Sequence, residues 1–418
     1  MTELLIFLIG LLAYSAYGLP GLCYLAVVMT LSYVVGLLQE KLRWLMPAWL
    51  VLNVLSLLLV KLQTPLGISF AAPLGISYFT LQIISYHVDI CRRRIQPERN
   101  FLRFGLFVSY YPHMAMGPIE RYSAMEKALN ERCFSWDGIS LGALRAVWGL
   151  FKMLVIASRV GVIIAAICAE PASFSGSYAL LAMVLYSVQL YCDFSGCIDT
   201  VLGLSQMLGL KLSENFDAPF LSESFQEFWR RWHMTLGSWL REYVYIPLGG
   251  NRKGKVRKII NLIITFLVSG LWHGVNYILW GLFNGIFVAF GTSMKTKWKH
   301  LNRLVTFVLV SLLWCFFIWP DAITALRMVC SVFTRFNYFS LPGEVAQMGL
   351  SLGDWLVAAV ACIGLWIYDC KRVLVNGWLQ SRSPWQRTAL VCLLGLLVLV
   401  FGMYGIGFHA EAFIYSSF

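Results

Sequence analysis

Apolar stretches of membrane-spanning length recur along the whole 418-residue chain, at 4–38, 45–60, 74–90, 141–169, 178–210, 259–291, 304–320, 352–370 and 388–408. An apolar helix needs about 20 residues to cross the hydrocarbon, so the longer runs hold two crossings or a crossing and a re-entrant piece. The pattern predicts an all-α polytopic membrane protein with about 10 to 12 membrane helices. No polar segment is long enough for a separate soluble domain, and residues 1–418 read as a single integral membrane domain. The opening "MTELLIFLIGLLAYSAYG" lacks the basic n-region and small-residue cleavage pattern of a signal peptide and is expected to be a retained first helix.

Interruptions in the pattern are informative. The motif PLGIS occurs at Pro65–Ser69 and again at Pro73–Ser77, and such Pro-Leu-Gly steps break helices where protein or a cavity covers the backbone. Residues 211–258 change texture, with nine basic and five acidic residues, and read as amphipathic and not spanning. Ser224 followed by Glu227 has the spacing of a capping box. At a 3.6-residue period, Arg230, His233, Gly237 and Arg241 share one side, while Trp232, Leu236, Trp239 and Tyr243 share another. Pro247 and Gly249-Gly250 end the helix.

Composition agrees: 59% of residues are hydrophobic and 13% charged. The net charge of +12 does not indicate nucleic acid, because the basic residues form short blocks between apolar runs. Arg92–Arg94 and the group Arg252, Lys253, Lys255, Arg257 and Lys258 are what the positive-inside bias produces, with anionic lipid headgroups as partner and both blocks cytoplasmic. Eleven cysteines include no CxxC pair, and no metal or disulfide framework is expected.

Chemistry is sparse. Of six histidines, His273 lies in the apolar run "GLWHGVNY", and a helical reading puts Ser269, His273, Asn276, Trp280 and Asn284 near one face. An ionisable group within a membrane faces the protein interior or a cavity and is a functional candidate, although a neutral imidazole can equally tie two helices together. His233 is the second candidate, in the amphipathic region; His87, His113, His300 and His409 read as structural or solvated. Asp193 and Asp199 could orient a polar group or pair with an arginine, and Glu120 reads as a turn partner of Arg121. HExxH, Walker and GxGxxG patterns are absent.

The series "YYPHMAMGPIERY" at 110–122, "FWRRWH" ending at His233, "YIPLGGNR" ending at Arg252 and "SGLWHG" at 269–274 resembles the membrane-bound O-acyltransferase family. The similarity is nearer to its bacterial branch typified by the alginate O-acetylation membrane protein and more distant to the teichoic acid D-alanylation protein. "LGISYFTLQIISYHVDICRRRI" at 74–95 and "FHAEAFIYSSF" at 408–418 extend it, the latter departing from the usual aromatic-glutamine-aromatic ending. The resemblance implies amphipathic and re-entrant helices around a central tunnel in a bacterial cytoplasmic membrane. It implies His273 and His233 as catalytic residues, while their own polarity and charge make Asn276, Asp193, Arg230, Arg231 and Arg241 candidate substrate or tunnel contacts. It also implies no tightly bound cofactor and an acyl thioester donor, acetyl-CoA or a phosphopantetheinylated acyl carrier protein. The acceptor would be a polysaccharide or other surface glycan, with room for a separate secreted or membrane-anchored acyltransferase partner. D-alanyl transfer toward teichoic acid and a non-enzymatic transporter are the competing readings.

Overall fold

The computed structural model describes residues 2–404 apart from 64, 65, 69–71, 115, 171–173, 175, 292–295, 320, 336–342 and 344–347, and the regular structure of those residues is helical throughout. Among the described residues, eight helices have the length and apolar composition to cross a membrane: Leu19–Leu38, Leu45–Leu62, Trp136–Ala169, Ser177–Met207, Gly254–His273, Lys299–Ile318, Leu352–Gln380 and Pro384–Phe401. Three shorter apolar helices join them, Thr2–Ser15, Val275–Phe290 and Ala322–Thr334. The expected count of about 10 to 12 is reached only when these are included. The chain is a multi-pass inner-membrane protein, and its peripheral helices are apolar outward as lipid requires: Trp366 is 62% and Leu399 66% exposed.

Local signals set the helix starts. Ser135, Asp321, Ser351 and Ser383 each accept a hydrogen bond from a first-turn backbone N–H, and Asp354 and Gln386 complete reciprocal capping boxes at the last two. The second PLGIS lies where the sequence places a break, with Gly75 at φ 74° immediately before the helix Ile76–Cys91. Pro65 and Ser69 of the first copy fall outside the described residues, as do the 408–418 segment and His409.

The centre of the packing is the contact between Trp136–Phe151 and the long helix Ser177–Met207. Gly142 and Gly149 on one face Gly203 and Gly196 on the other, each pair seven residues apart. A Cβ on Gly142 would lie 2.5 Å from Gly203 O, and one on Gly196 would lie 2.7 Å from Gly149 O. In lipid, where burying apolar surface gives helices no driving force to associate, such backbone approach supplies the packing. A π-helical turn, Lys152–Ala157, continues the first helix. There the buried Lys152 Nζ donates to Ser195 Oγ at 2.7 Å and Asp199 Oδ2 at 2.6 Å. Arg145 donates to Asp199 Oδ1 at 2.9 Å and grips Glu214 through bonds of 2.7 and 2.6 Å. Asp199, half-buried, is thus the hub of an ion cluster around the buried Lys152.

The reading of one polar residue is corrected. Glu120 does not pair with its neighbour: it is buried and accepts from Ser213 N at 2.6 Å and Ser213 Oγ at 2.8 Å, while Arg121 pairs with Glu242 at 3.3 Å. Burial raises the Glu120 carboxyl pKa and the Ser213 bonds oppose that rise. His87 is structural, its Nδ1 2.9 Å from Gln39 Oε1. Arg92 of the first basic block donates to Glu242 O at 3.3 Å and lies over the Tyr243 ring.

Candidate active site

The amphipathic region is not one helix. Ser224 caps Phe225–Arg231 by accepting from Glu227 N at 3.2 Å, but Glu227 reaches Glu223 N at 2.9 Å and Arg231 at 2.7 Å, so the capping box is only half formed. The chain then breaks at Trp232-His233, and a second helix, Met234–Leu240, runs into the π-helical turn Arg241–Tyr245. His233 itself adopts the left-handed conformation, φ 45° and ψ 53°, which disfavours a residue with a Cβ. Its Nδ1 lies 3.2 Å from Asn215 Oδ1, and its ring packs edge-on against Phe194 at 4.9 Å. Burial pushes the His233 pKa down to about 3, so the imidazole is neutral at physiological pH.

His273 ends the helix Gly254–His273, and the continuous polar face through Asn284 is corrected by the next residue. Gly274, at φ 147° and ψ 162°, stops the helix; a short turn, Val275–Tyr277, leads into Ile278–Phe290. The two helices form a tight hairpin, in which a Cβ on Gly270 would lie 2.5 Å from Tyr277 O. His273 is 5% exposed, caged by Trp272, Trp280 and Phe317 with ring centroids 4.7, 5.5 and 5.6 Å away. Asn284 serves the cage by accepting from Trp229 Nε1 at 3.2 Å. Because the Gly274 conformation is nearly glycine-only, Gly274→Ala is expected to cost about 1–3 kcal/mol. A fall in the melting temperature of the detergent-solubilised protein, with lowered activity from a displaced His273, checks this.

Both histidines line one cavity of about 510 Å³. Trp229, Trp232, Trp280, Trp314 and Phe317 form its apolar wall, while Ser269 and Thr265 supply hydroxyls. Arg230, Arg241 and Lys258, all exposed, stand at its rim. The break at His233 therefore preserves what the helical period implied: Arg230, His233, Gly237 and Arg241 all reach the same space. Three sequence candidates do not. Arg231 instead pairs with Glu227 and donates to Asp217 O at 3.3 Å. Asn276 is exposed in a separate recess with Asp321, and Asp193 is half-buried on Ser177–Met207 away from the cavity lining. The sequence reading missed Lys258 as a rim residue, the tryptophan wall, and Asn215. Trp229 and Trp232 share the FWRRWH motif with His233, whereas only proximity in space marks Lys258, Trp314 and Asn215. Among the described residues no three His, Cys, Asp or Glu side chains converge as a metal site requires.

A model of the membrane-bound O-acyltransferase family matches residues 15–334, which contain both histidines, the hairpin and every cavity-lining residue. The chain belongs to the membrane-bound O-acyltransferase family. Among curated members it is 39% identical over 309 residues to a probable alginate O-acetylase AlgI of Pseudomonas syringae pv. tomato, covering 72% of this chain and 58% of that protein. It is 34% identical over 406 residues to that of Pseudomonas fluorescens, covering 91% and 80%. A teichoic acid D-alanyltransferase of Streptococcus thermophilus is more distant, 28% identical over 283 residues, covering 63% of this chain and 68% of its own. The match thus spans little more than half the length of the Pseudomonas syringae protein and four fifths of the Pseudomonas fluorescens one. Within this chain the matched span stops before the helices Leu352–Gln380 and Pro384–Phe401.

Proposed function

We propose that this membrane-bound O-acyltransferase moves an acyl group, acetyl foremost, from a thioester donor to a hydroxyl of an exported or surface polysaccharide. The observation that carries this reading is that His233 and His273 line one aromatic-walled cavity with a basic rim. The acceptor oxygen attacks the thioester carbonyl while His273 takes its proton. The tetrahedral intermediate then collapses, the C–S bond breaks, and the thiolate leaves with that proton as a thiol, so no redox change occurs. His233 supplies a second imidazole to the same space, and Ser269 lines it with a hydroxyl that can donate to the developing oxyanion. Relatives named as alginate O-acetylases and as a peptidoglycan O-acetyltransferase of Helicobacter pylori favour a glycan acceptor. An acyl carrier protein or a separate acyltransferase would act as partner at either face.

Label transfer from isotopic acetyl thioester to surface glycan in membrane vesicles tests the reading. An alkali-labile ester formed by wild type supports it. Transport of label without a new ester would instead favour a transporter, and D-alanyl ester without acetyl ester would favour teichoic acid as acceptor. The rim makes a separate prediction. Changing Arg230, Arg241 and Lys258 together to Gln is expected to raise KM for an anionic thioester donor about 10-fold with kcat little changed, an effect that high salt reproduces in wild type. Donor titrations at two salt concentrations measure it, and an unchanged KM would assign these charges to topology alone.

A further inference from the structure

His233 is held from one side only. Asn215, fully buried, accepts through Oδ1 from Thr235 N at 3.0 Å and from Thr235 Oγ1 at 2.9 Å, with His233 Nδ1 at 3.2 Å from the same oxygen. The Thr235 hydroxyl is free to donate because its oxygen already accepts from Ile119 N at 3.0 Å. The amide cannot be reversed: its NH2 would then face the Thr235 backbone N–H, a donor that has no other role to adopt. Asn215 Nδ2 has no partner among the described residues, so the fold uses this side chain for its oxygen. An oxygen with only lone pairs toward Nδ1 requires the imidazole proton to sit there. His233 Nε2 then carries the ring's lone pair, and it is a buried nitrogen with no partner among the described residues.

The loop around Asn215 is braced. Met234 N donates to Asn215 O at 2.9 Å and Asp217 N to Arg231 O at 2.9 Å, one bond on each side of the left-handed His233. Glu214 is gripped by Arg145, and Asp217 pairs with Arg372. The ion cluster around Asp199 therefore reaches the histidine through this loop.

We propose that Asn215 is a positioning residue that fixes His233 in its Nδ1–H tautomer, leaving the Nε2 lone pair to accept a hydrogen bond or proton from a hydroxyl in the cavity. The proposal rests on the role of His233 in the acyl transfer above.

The test uses the full chain, labelled with ¹⁵N-histidine, in lipid nanodiscs, with the His233 resonances identified by their loss in His233→Gln. Wild type is expected to show a proton-bearing Nδ1 and a bare Nε2. Asn215→Leu is expected to move the proton to Nε2 and lower kcat about 10²-fold or more, by analogy with the wrong-tautomer cost in catalytic triads, with KM little changed. Asn215→Asp, which still accepts from Nδ1–H, is expected to keep the tautomer and recover most of the rate. A proton on Nε2 in wild type overturns the proposal even if Asn215→Leu fails to fold. So does an Asn215→Leu protein that loses activity with its tautomer unchanged, since that marks a merely structural residue. A tautomer that switches while acyl transfer stays at the wild-type rate supports the positioning role and removes His233 from the reaction.

Discussion

Replacing His273 by alanine or glutamine is expected to lower acyl transfer by about 10²–10⁴-fold, the usual contribution of a positioned general base. Glutamine is the sharper variant, because it nearly fills the space between Trp272, Trp280 and Phe317 that alanine would leave empty. Insertion and folding, followed by size-exclusion profile and melting temperature, should survive the glutamine change. The imidazole ends its helix and its cage is held from elsewhere: Trp272 Nε1 donates to Ser77 O at 3.1 Å and Trp229 Nε1 to Asn284 Oδ1 at 3.2 Å. Wild-type label transfer by a well-folded His273→Gln protein would remove the residue from catalysis.

The largest stability effect is expected at the ion cluster. Asp199→Ala removes one of the two oxygens that Lys152 Nζ contacts and leaves that ammonium, on a side chain 3% exposed, facing only Ser195 among its close bonds. Leaving a buried charge without its partner costs about 3–5 kcal/mol. Arg145 retains Glu214 and is less affected. The double variant Lys152→Met with Asp199→Leu removes both charges, and replacing a buried pair by apolar groups is often neutral, so it should recover most of the lost melting temperature. Equal destabilisation in the single and double variants would show that packing at this site, not charge, is what matters. Because the cluster also braces Glu214 beside Asn215, Asp199→Ala should in addition lower turnover below what its residual folded fraction explains.

Membrane character, helical class and the two histidines were legible in the sequence, because each is written locally. Runs of apolar residues report spanning helices wherever they occur, and an imidazole in such a run is conspicuous without knowing its neighbours. The ordered motifs ending at His233, Arg252 and Gly274 likewise marked the family before any packing was known. Periodicity even put Arg230, His233, Gly237 and Arg241 together correctly, though it did so by assuming a helix that breaks at His233. What it could not register was that break, or the one at Gly274, since a single left-handed residue or glycine leaves the apolar pattern on either side intact.

Tertiary structure decided the rest. Asn276, three positions from His273, turns away from the cavity because Gly274 redirects the chain, whereas Asn215, 18 residues before His233, lies against its ring. Glu120 found Ser213 and not the arginine beside it, and Asp199 found Lys152 and Arg145 on another helix. A buried polar group takes whichever partner the packing brings within hydrogen-bond reach, so its role is a property of distances between helices that sequence separation does not encode.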